Sequence, residues 1–345
     1  MLGAVPDRYE TAPSAAGLAT YFAMARGTTP CGGSEGDCAH AASVTACEMT
    51  KWFDTNYHYM VPELALGQKL ALNAPKIVDE YREAAAQGFA TRPVLLGPVT
   101  WLSLAKGRDV DPFDFLDEVL GLYAAILGHL AAAGAEWVQI DEPVLVLDLD
   151  DRQRRALTRA YAKLARCGVK LMLTTYFGAL DDNLRFATVL PVAGLHVDLV
   201  RAPAQLDAVL AAAPRGLLLS LGVIDGRNVW RADLAALLDR LAPVAATRDV
   251  ILAPSCSLLH APLDLALETM LDDEVRQWLA FGVQKIAELA VLKRALTDGR
   301  ASVVEALAES DRAVAARAVS TRIHDAAVAA RIAAVTLRRD AGTPA

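Results

Sequence analysis

The sequence predicts an α/β fold of the (β/α)8, TIM-barrel type. Six short apolar runs alternate with helix-like stretches between residues 93 and 255, which is typical of parallel βαβ units. The runs are almost continuously apolar, as in strands that are buried on both faces of a sheet. Polar residues follow several of them, and the carboxyl ends of barrel strands are where active sites lie.

The predicted strands and helices follow one another in a regular order. The strands are residues 93–100, 137–141, 170–177, 194–200, 216–224 and 250–255. Helices are predicted at residues 18–25, 76–87, 113–133, 150–166, 180–190, 203–213 and 231–246. A closed barrel has eight strands, and six are recognisable. We therefore expect a barrel that is incomplete at its N-terminus.

Beyond residue 263 the sequence predicts helices only. One or two helices over residues 266–295 would bury an apolar stripe that includes Leu267, Met270 and Val283. Amphipathic helices are expected at residues 303–315 and 326–336. These helices form the C-terminal extension of the predicted barrel.

Three segments are expected along the chain. Residues 1–50 are an N-terminal segment with a flexible Cys/Gly-rich loop, and residues 51–300 form the barrel. Residues 301–345 are C-terminal helices with a frayed tail.

Composition and charge argue against several classes of function. The formal net charge is −7, whereas a nucleic-acid binder usually has a basic face. The first residues lack a basic stretch followed by an apolar one, so no signal peptide is predicted. No apolar stretch looks long enough to span a bilayer. Five cysteines are an odd count for a disulfide framework, and a reduced, cytoplasmic setting is expected.

One cluster of potential metal ligands occurs near the N-terminus. Cys31, Cys38, His40 and Cys47 lie in or beside a Gly-rich loop. Zinc sites usually contain a closely spaced C-x₂₋₄-C pair, which this cluster lacks. We interpret the cysteines as unpaired thiols and predict no metal site.

The segment EMTKWFDTNYHYMVPE, residues 48–63, combines four aromatic side chains with a lysine, a histidine and three carboxylates. Such a mixture suits a site where a flat ligand stacks on rings and its polar edge is hydrogen-bonded. It equally suits a segment that buries its rings in the core. Both interpretations remain open.

Two further pairs are candidates for chemistry. Asp141 and Glu142 end a predicted strand and could act as general acid and base. Neighbouring residues on a strand point to opposite faces, so at most one should face a pocket while the other caps or pairs with a basic residue. Cys256 and His260 could be a thiol nucleophile and its base, although a buried, inert cysteine is commoner.

Several blocks of the sequence resemble the N-terminal half of cobalamin-independent methionine synthase. They occur in the same order as in that family and cover nearly the whole chain. The blocks are MLGAVP (1–6), EMTKWFDTNYHYMVPE (48–63), PVLLGPVTW (93–101), EWVQIDEPVLVLDL (136–149), LHVDLV (195–200), DGRNVWRADL (225–234) and SCSLLHAPLDLALET (255–269).

The resemblance implies a fold and a role. Members transfer a methyl group from 5-methyltetrahydropteroyltriglutamate to homocysteine and consist of two (β/α)8 barrels. The zinc belongs to the C-terminal barrel, so no cofactor is expected on this chain. Lys51 and Asn56 match positions that contact the folate substrate, and no catalytic residue is expected. A C-terminal domain acting in trans would be the partner.

The sequence also departs from the family. It begins at the family's internal MLGAVP, so we expect the first two barrel strands to be missing. The first hypothesis is the N-terminal part of a methionine synthase, inactive by itself. The second is an independent barrel enzyme that uses Asp141 or Glu142. The third is a non-catalytic interaction protein whose strand edges are covered by a partner.

Overall fold

The computed structural model describes residues 2–9, 17–28 and 43–340, the side chains of residues 336–340 excepted. The chain forms two compact units, Met1–Leu221 and Gly222–Ala345. Cys31, Cys38 and His40 lie outside the described residues. The three segments expected from the sequence stay a prediction.

The strands of the described residues are short and mostly separated by helices. They are β1 (Met49–Lys51), β2 (His58–Met60), β3 (Glu63–Ala65), β4 (Val94–Leu96), β5 (Lys106–Arg108), β6 (Trp137–Asp141), β7 (Lys170–Thr174), β8 (Gly194–Asp198), β9 (Leu218–Ile224) and β10 (Val250–Pro254).

The helices of the described residues alternate with the strands and then continue alone. They are α1 (Leu18–Arg26), α2 (Pro75–Ala86), α3 (Pro98–Leu104), α4 (Leu116–Ala132), α5 (Asp151–Leu164), α6 (Leu184–Val189), α7 (Leu206–Ala212), α8 (Leu234–Ala245), α9 (Asp273–Arg276), α10 (Gly282–Asp298), α11 (Val304–Val319) and α12 (Ala326–Asp340).

Six strands form one sheet in the order β10–β9–β8–β7–β6–β4. The pairs β4/β6, β6/β7 and β7/β8 are parallel. The order follows the chain without the reversal that marks a doubly wound sheet, and helices separate successive strands, as in a TIM-type barrel. The predicted fold class, six strands with a helical C-terminal extension, is therefore confirmed. Two smaller pairs, β1/β2 and β3/β5, lie outside this sheet.

The burial of side chains along the strands distinguishes the two faces of the sheet. On β6, Val138 and Ile140 are fully buried, whereas Gln139 and Asp141 remain partly exposed. Glu142, which follows the strand, bonds to residues of α3 and α5. We call the face that carries Gln139 and Asp141 the inner face, since it is turned away from α3 and α5.

The helices begin where the sequence supplies caps. Asp150 and Gln153 form a capping box at the start of α5, and the Asp233 side chain accepts from Ala236 N–H in α8. Each cap satisfies a backbone donor that the first turn leaves unpaired. The stretches predicted as helices 18–25, 76–87, 113–133 and 150–166 correspond to α1, α2, α4 and α5.

Several strands were predicted too long, residues 93–100 most clearly. Residues 93–100 were expected to be extended throughout, yet the strand is Val94–Leu96 and a helix begins at Pro98. Proline suits the first position of a helix, and the Glu142 carboxylate accepts from the N–H groups of Val99 and Thr100. A partner distant in sequence therefore favours the helix here.

The helix prediction for residues 266–295 was correct from residue 282 on, where α10 lies, and wrong for residues 266–281. Leu267 and Met270 are 70% and 94% exposed, because residues 265–281 contain only short helical turns and extended pieces before α10 begins at Gly282. Asp264 and Asp272 cap two of the turns. Trp278, at 2% exposure, is the most deeply buried large side chain of this stretch, and Leu265, Leu279 and Phe281 are buried as well.

By length and composition, one stretch of the described chain, Pro112–Ala132, could cross a membrane, contrary to the expectation from the sequence. It spans a short helical turn and α4. The α4 residues Val119, Leu120, Ile126 and Leu130 are fully buried within the fold. This is the pattern of a core helix with one face on the sheet.

Candidate functional site

The candidate site lies at the carboxyl ends of β6, β7 and β8. Asp141 ends β6, Thr174 ends β7 and Asp198 ends β8. Asp141 is the register partner of Thr174, and Thr174 is the register partner of His196. The strand ends therefore stand side by side.

Glu142 is buried and bound to the helix layer. Its Oε2 accepts from Thr100 N at 2.7 Å and Thr100 Oγ1 at 2.6 Å, and its Oε1 accepts from Val99 N at 3.1 Å. Tyr161 O–H donates to Oε1 at 3.4 Å. Burial raises the pKa of Glu142 to about 7 against these bonds, which lower it. Glu142 thus caps α3, in agreement with the expectation that one carboxylate of the pair would be a cap.

Asp141 has a different environment on the inner face. Gln139 Nε2 donates to its Oδ1 at 2.8 Å, and Tyr176 O–H donates to its Oδ2 at 3.2 Å. Burial raises its pKa to about 6, while these two bonds and the charge of Arg92 lower it. The adjacent carboxylates therefore do not form an acid/base pair in one pocket, because Glu142 is bonded to α3 and α5.

Asp198 organises the chain that leaves β7 and β8. Its Oδ2 accepts from Phe177 N at 3.0 Å, and its Oδ1 accepts from the N–H groups of Val200 and Arg201 at 2.9 Å each. Phe177 has φ +75°, a left-handed conformation that costs a bulky residue energy. The hydrogen bond that Phe177 N–H donates to Asp198 holds this strained residue in place.

The segment 48–63 forms a hairpin from β1 and β2. Lys51 pairs with His58 in the register, and Trp52 N donates to Tyr57 O at 2.7 Å across the turn. The Thr55 hydroxyl donates to Trp52 O at 2.7 Å inside the turn. Lys51 and Asn56 are both exposed and lie at the same end of the hairpin. We call residues 51–57 the hairpin tip.

The hairpin tip is attached to the strand ends of the same unit. Phe53 stacks on Phe177 with ring centroids 6.5 Å apart, and Phe177 contacts Tyr176 edge-on at 4.6 Å. Asp54 accepts from the Arg201 guanidinium at 2.8 Å. Lys51 and Asn56 are thereby held beside the mouth of the sheet, where barrel proteins bind ligands.

The segment 48–63 has features of both interpretations, a ligand site and a segment that buries its aromatic rings. Trp52, Phe53 and Tyr59 are half-buried, and Trp52 packs on the other two rings at 5.0 and 5.2 Å. Tyr57 is 52% exposed. The rings thus attach the hairpin, whereas Lys51 and Asn56 remain accessible to a ligand.

The cysteine candidates lie in separate places. Cys47 is buried against Tyr9 and Arg8, and burial raises the pKa of its thiol. Cys256 is buried, with its Sγ 3.8 Å from Ser257 O, and His260, four residues after Cys256, ends a short helical turn. In the described part of the chain, no three His, Cys, Asp or Glu side chains are placed to hold a metal. The described residues therefore do not fit a zinc site, and the absence of a bound cofactor stays a prediction.

Sequence reasoning missed several residues that shape these regions. Arg201 acts through its contact with Asp54, which lies far away along the chain, and nothing local in the sequence marks it. In the second unit, buried Lys285 donates to Asn228 Oδ1 at 3.1 Å and Trp230 O at 3.3 Å, and burial lowers its pKa. The block DGRNVWRADL marks the loop that contains Asn228 and Trp230, but nothing in it indicates that Lys285 is the partner of these residues.

Comparison with known proteins agrees with the motif resemblance. The sequence profile described as "Cobalamin-independent synthase, N-terminal domain" matches residues 1–249. A 5-methyltetrahydropteroyltriglutamate–homocysteine methyltransferase of Nitrobacter winogradskyi is 58% identical over 350 residues, covering 97% of this chain and 45% of that protein. The protein of the same description from Caulobacter vibrioides is 59% identical over 349 residues, with the same coverage.

The chain thus spans about 45% of the length of the curated relatives that it matches. A solved B12-independent methionine synthase from Shewanella sp. W3-18-1 has a TM-score of 0.49 at 15% identity, over 68% of this chain and 70% of that one. That likeness is too weak to support a conclusion. The family match covers more than half of the chain, and it confirms the resemblance drawn from the motifs. The chain belongs to the family of the N-terminal domain of cobalamin-independent synthase.

Proposed function

We propose that this chain is the folate-tail-binding part of a cobalamin-independent methionine synthase. The complete enzyme would transfer a methyl group from 5-methyltetrahydropteroyltriglutamate to homocysteine. The proposal is supported by two relatives, 58% and 59% identical, that are described as 5-methyltetrahydropteroyltriglutamate–homocysteine methyltransferases. Because the chain spans only part of their length, the substrate and the activity are inferred from them.

The observation that carries the proposal is the position of Lys51 and Asn56. Both side chains are exposed on a hairpin tip that the strand ends hold in place. A lysine ammonium is a mobile cation that can pair with the carboxylates of a glutamate tail, and an asparagine amide can both donate and accept. The tip therefore offers a preorganised binding surface.

The chain alone would not transfer the methyl group. The zinc that activates a thiol would be supplied by a C-terminal barrel acting in trans, and the ligand set for such an ion is not present among the described residues. The chain's own residues would bind and orient the tail of the folate. We place this activity in the cytoplasm.

A calorimetric titration with methyltetrahydrofolate triglutamate tests the binding role. Lys51→Ala should weaken binding about two- to tenfold, the range for loss of one accessible charge-assisted contact. Lys163→Ala on the exposed surface of α5 is the matched control and should leave affinity unchanged. Equal affinity for the wild-type chain and the Lys51→Ala variant would contradict the assignment of the tail to the hairpin tip.

A methyl-transfer assay tests the inactivity of the isolated chain. No methionine should form from homocysteine and methyltetrahydrofolate triglutamate with this chain alone. Activity should appear when the C-terminal half of a relative is added. Turnover by the isolated chain would refute the proposal.

A further inference from the structure

The inner face of the first unit carries a row of polar side chains on four neighbouring strands. Asp141, Thr174 and His196 are register partners on β6, β7 and β8. Register partners of a parallel sheet project from the same face. His196 Nδ1 lies 2.9 Å from Ser220 Oγ on β9, which extends the row. We call these four residues the polar row.

The hydroxyl of Thr174 lies in the middle of this row without a partner. Thr174 is 4% exposed, and its Oγ1 makes no hydrogen bond to any described residue. Leaving a buried hydroxyl unsatisfied costs free energy, so buried polar groups are nearly always paired. A group from outside the protein would remove this cost.

The carboxylate of Asp141 also lacks a counter-ion within the described chain. Its two hydrogen bonds come from neutral donors, the Gln139 amide and the Tyr176 hydroxyl. Arg92 lowers the pKa of Asp141 through its charge and not through a hydrogen bond. A carboxylate removed from water is stabilised most by a cation that also donates hydrogen bonds.

Apolar side chains adjoin the polar row on the same face. Leu96 is the register partner of Asp141 on β4, and Met172 pairs with Gln139 one step below. Gly194 leaves room for Met172, because a Cβ at residue 194 would lie 2.8 Å from the Met172 sulfur. Val94, Leu96 and Gln139 are exposed or partly exposed, so this part of the inner face is open to solvent.

We propose that the polar row binds the primary ammonium group of a small aliphatic molecule. The ammonium donates to the Asp141 carboxylate and to Thr174 Oγ1, and the carbon chain lies along Leu96, on the part of the inner face that is open to solvent. An anion would face the Asp141 charge. A metal ion is disfavoured since no group of three ligands exists among the described residues. The site contains neither Lys51 nor Asn56, so it does not depend on the folate-tail proposal.

Titration of the full chain with n-propylammonium chloride, followed by amide NMR shifts, tests the site. We expect saturable shifts at residues 139–141 and 174. Asp141→Asn should weaken binding about tenfold or more, and Thr174→Val about fivefold, as for a charged and a neutral hydrogen bond. Asp148→Asn, which alters an exposed carboxylate of the same unit, should have no effect.

Neutral n-propanol separates ammonium recognition from burial of the carbon chain. It should bind at least about tenfold more weakly than the amine. Equal binding of the two, or no saturable shift with the amine, would overturn the proposal, and so would full affinity in Asp141→Asn. If that variant does not fold, undiminished affinity in Thr174→Val has the same consequence.

Discussion

At the scale of single residues, Asp141 and Glu142 are neighbours at one strand end but point to opposite faces of the sheet and make different contacts. Alternation along a strand predicts that they point apart. Alternation does not predict that Glu142 accepts hydrogen bonds from the start of α3 and from Tyr161. Nor does it predict that Asp141 accepts hydrogen bonds from Gln139 and Tyr176. Those partners are about 20 to 45 residues away for Glu142, so only the folded chain assembles them.

Substitution of Gly97 tests whether the close approach of the backbone at residue 97 to the Glu142 side chain is needed for stability. A Cβ at residue 97 would lie 2.1 Å from Glu142 Cδ, and Gly97→Ala should therefore lower the free energy of unfolding by about 1–3 kcal/mol or more. The measurement is urea denaturation. Gly121→Ala is the control, because a Cβ at residue 121 of α4 meets nothing, and it should stabilise by about 0.5–1 kcal/mol. Equal effects of the two substitutions would contradict the close contact.

Glu142 also predicts a pH dependence of stability. Its pKa in the folded chain is about 7, raised by burial from an ordinary value of 4.5. The folded state therefore holds a proton more tightly than the unfolded state, so this contribution is full below pH 4.5 and declines as the pH rises towards 7. Urea denaturation between pH 5 and 8 should show that decline in the wild-type chain.

Glu142→Gln removes the titrating group and isolates its contribution. The variant is expected to be less stable at pH 5, because an amide cannot supply two acceptor oxygens to the first turn of α3. The difference in unfolding free energy between wild type and variant should shrink as the pH rises. A constant difference over pH 5–8 would show that the pKa of Glu142 is not raised.

At the scale of elements, the sequence predicts the alternation well and its boundaries less well. Continuous apolar runs and capped helices are local signals, which is why β6, β7, β8, α4 and α5 agree with expectation. The secondary structure predicted for residues 97–100 and 266–281 was wrong for the same reason. Their conformation depends on distant partners, such as Glu142 for the start of α3.

The candidate site shows the same limit. Lys51 and Asn56 could be named from the motif around them, because the segment 48–63 is long and distinctive. Their attachment to the strand ends could not, since Arg201 lies 147 residues from Asp54. The unpartnered Thr174 hydroxyl likewise depends on the register of three strands.

Arg201→Ala tests the attachment of the hairpin tip. The ion pair with Asp54 is solvent-exposed, so its loss should change the free energy of unfolding by less than about 1 kcal/mol. Amide hydrogen exchange in residues 52–57 should nevertheless become faster, because that contact limits local opening. Arg159→Ala removes a comparable exposed pair, to Asp117, and should leave exchange at the hairpin tip unaltered. Identical exchange in all three proteins would contradict this role.

At the scale of the whole molecule, the fold and the family agree on a barrel-type unit. The six-stranded sheet keeps chain order, and the chain spans about 45% of its relatives' length. The described surface offers an exposed cation and amide at the mouth of the sheet but no metal ligand set. The exposed cation and amide support the proposal that this chain binds the glutamate tail.

The most direct test compares the mono- and triglutamate forms of methyltetrahydrofolate in calorimetric titrations of the full chain at low and high salt. We predict tighter binding of the triglutamate, and a difference that narrows with salt because screening weakens exposed charge pairs. Equal affinity for the two forms, at low salt, would contradict the account that this chain holds the glutamate tail.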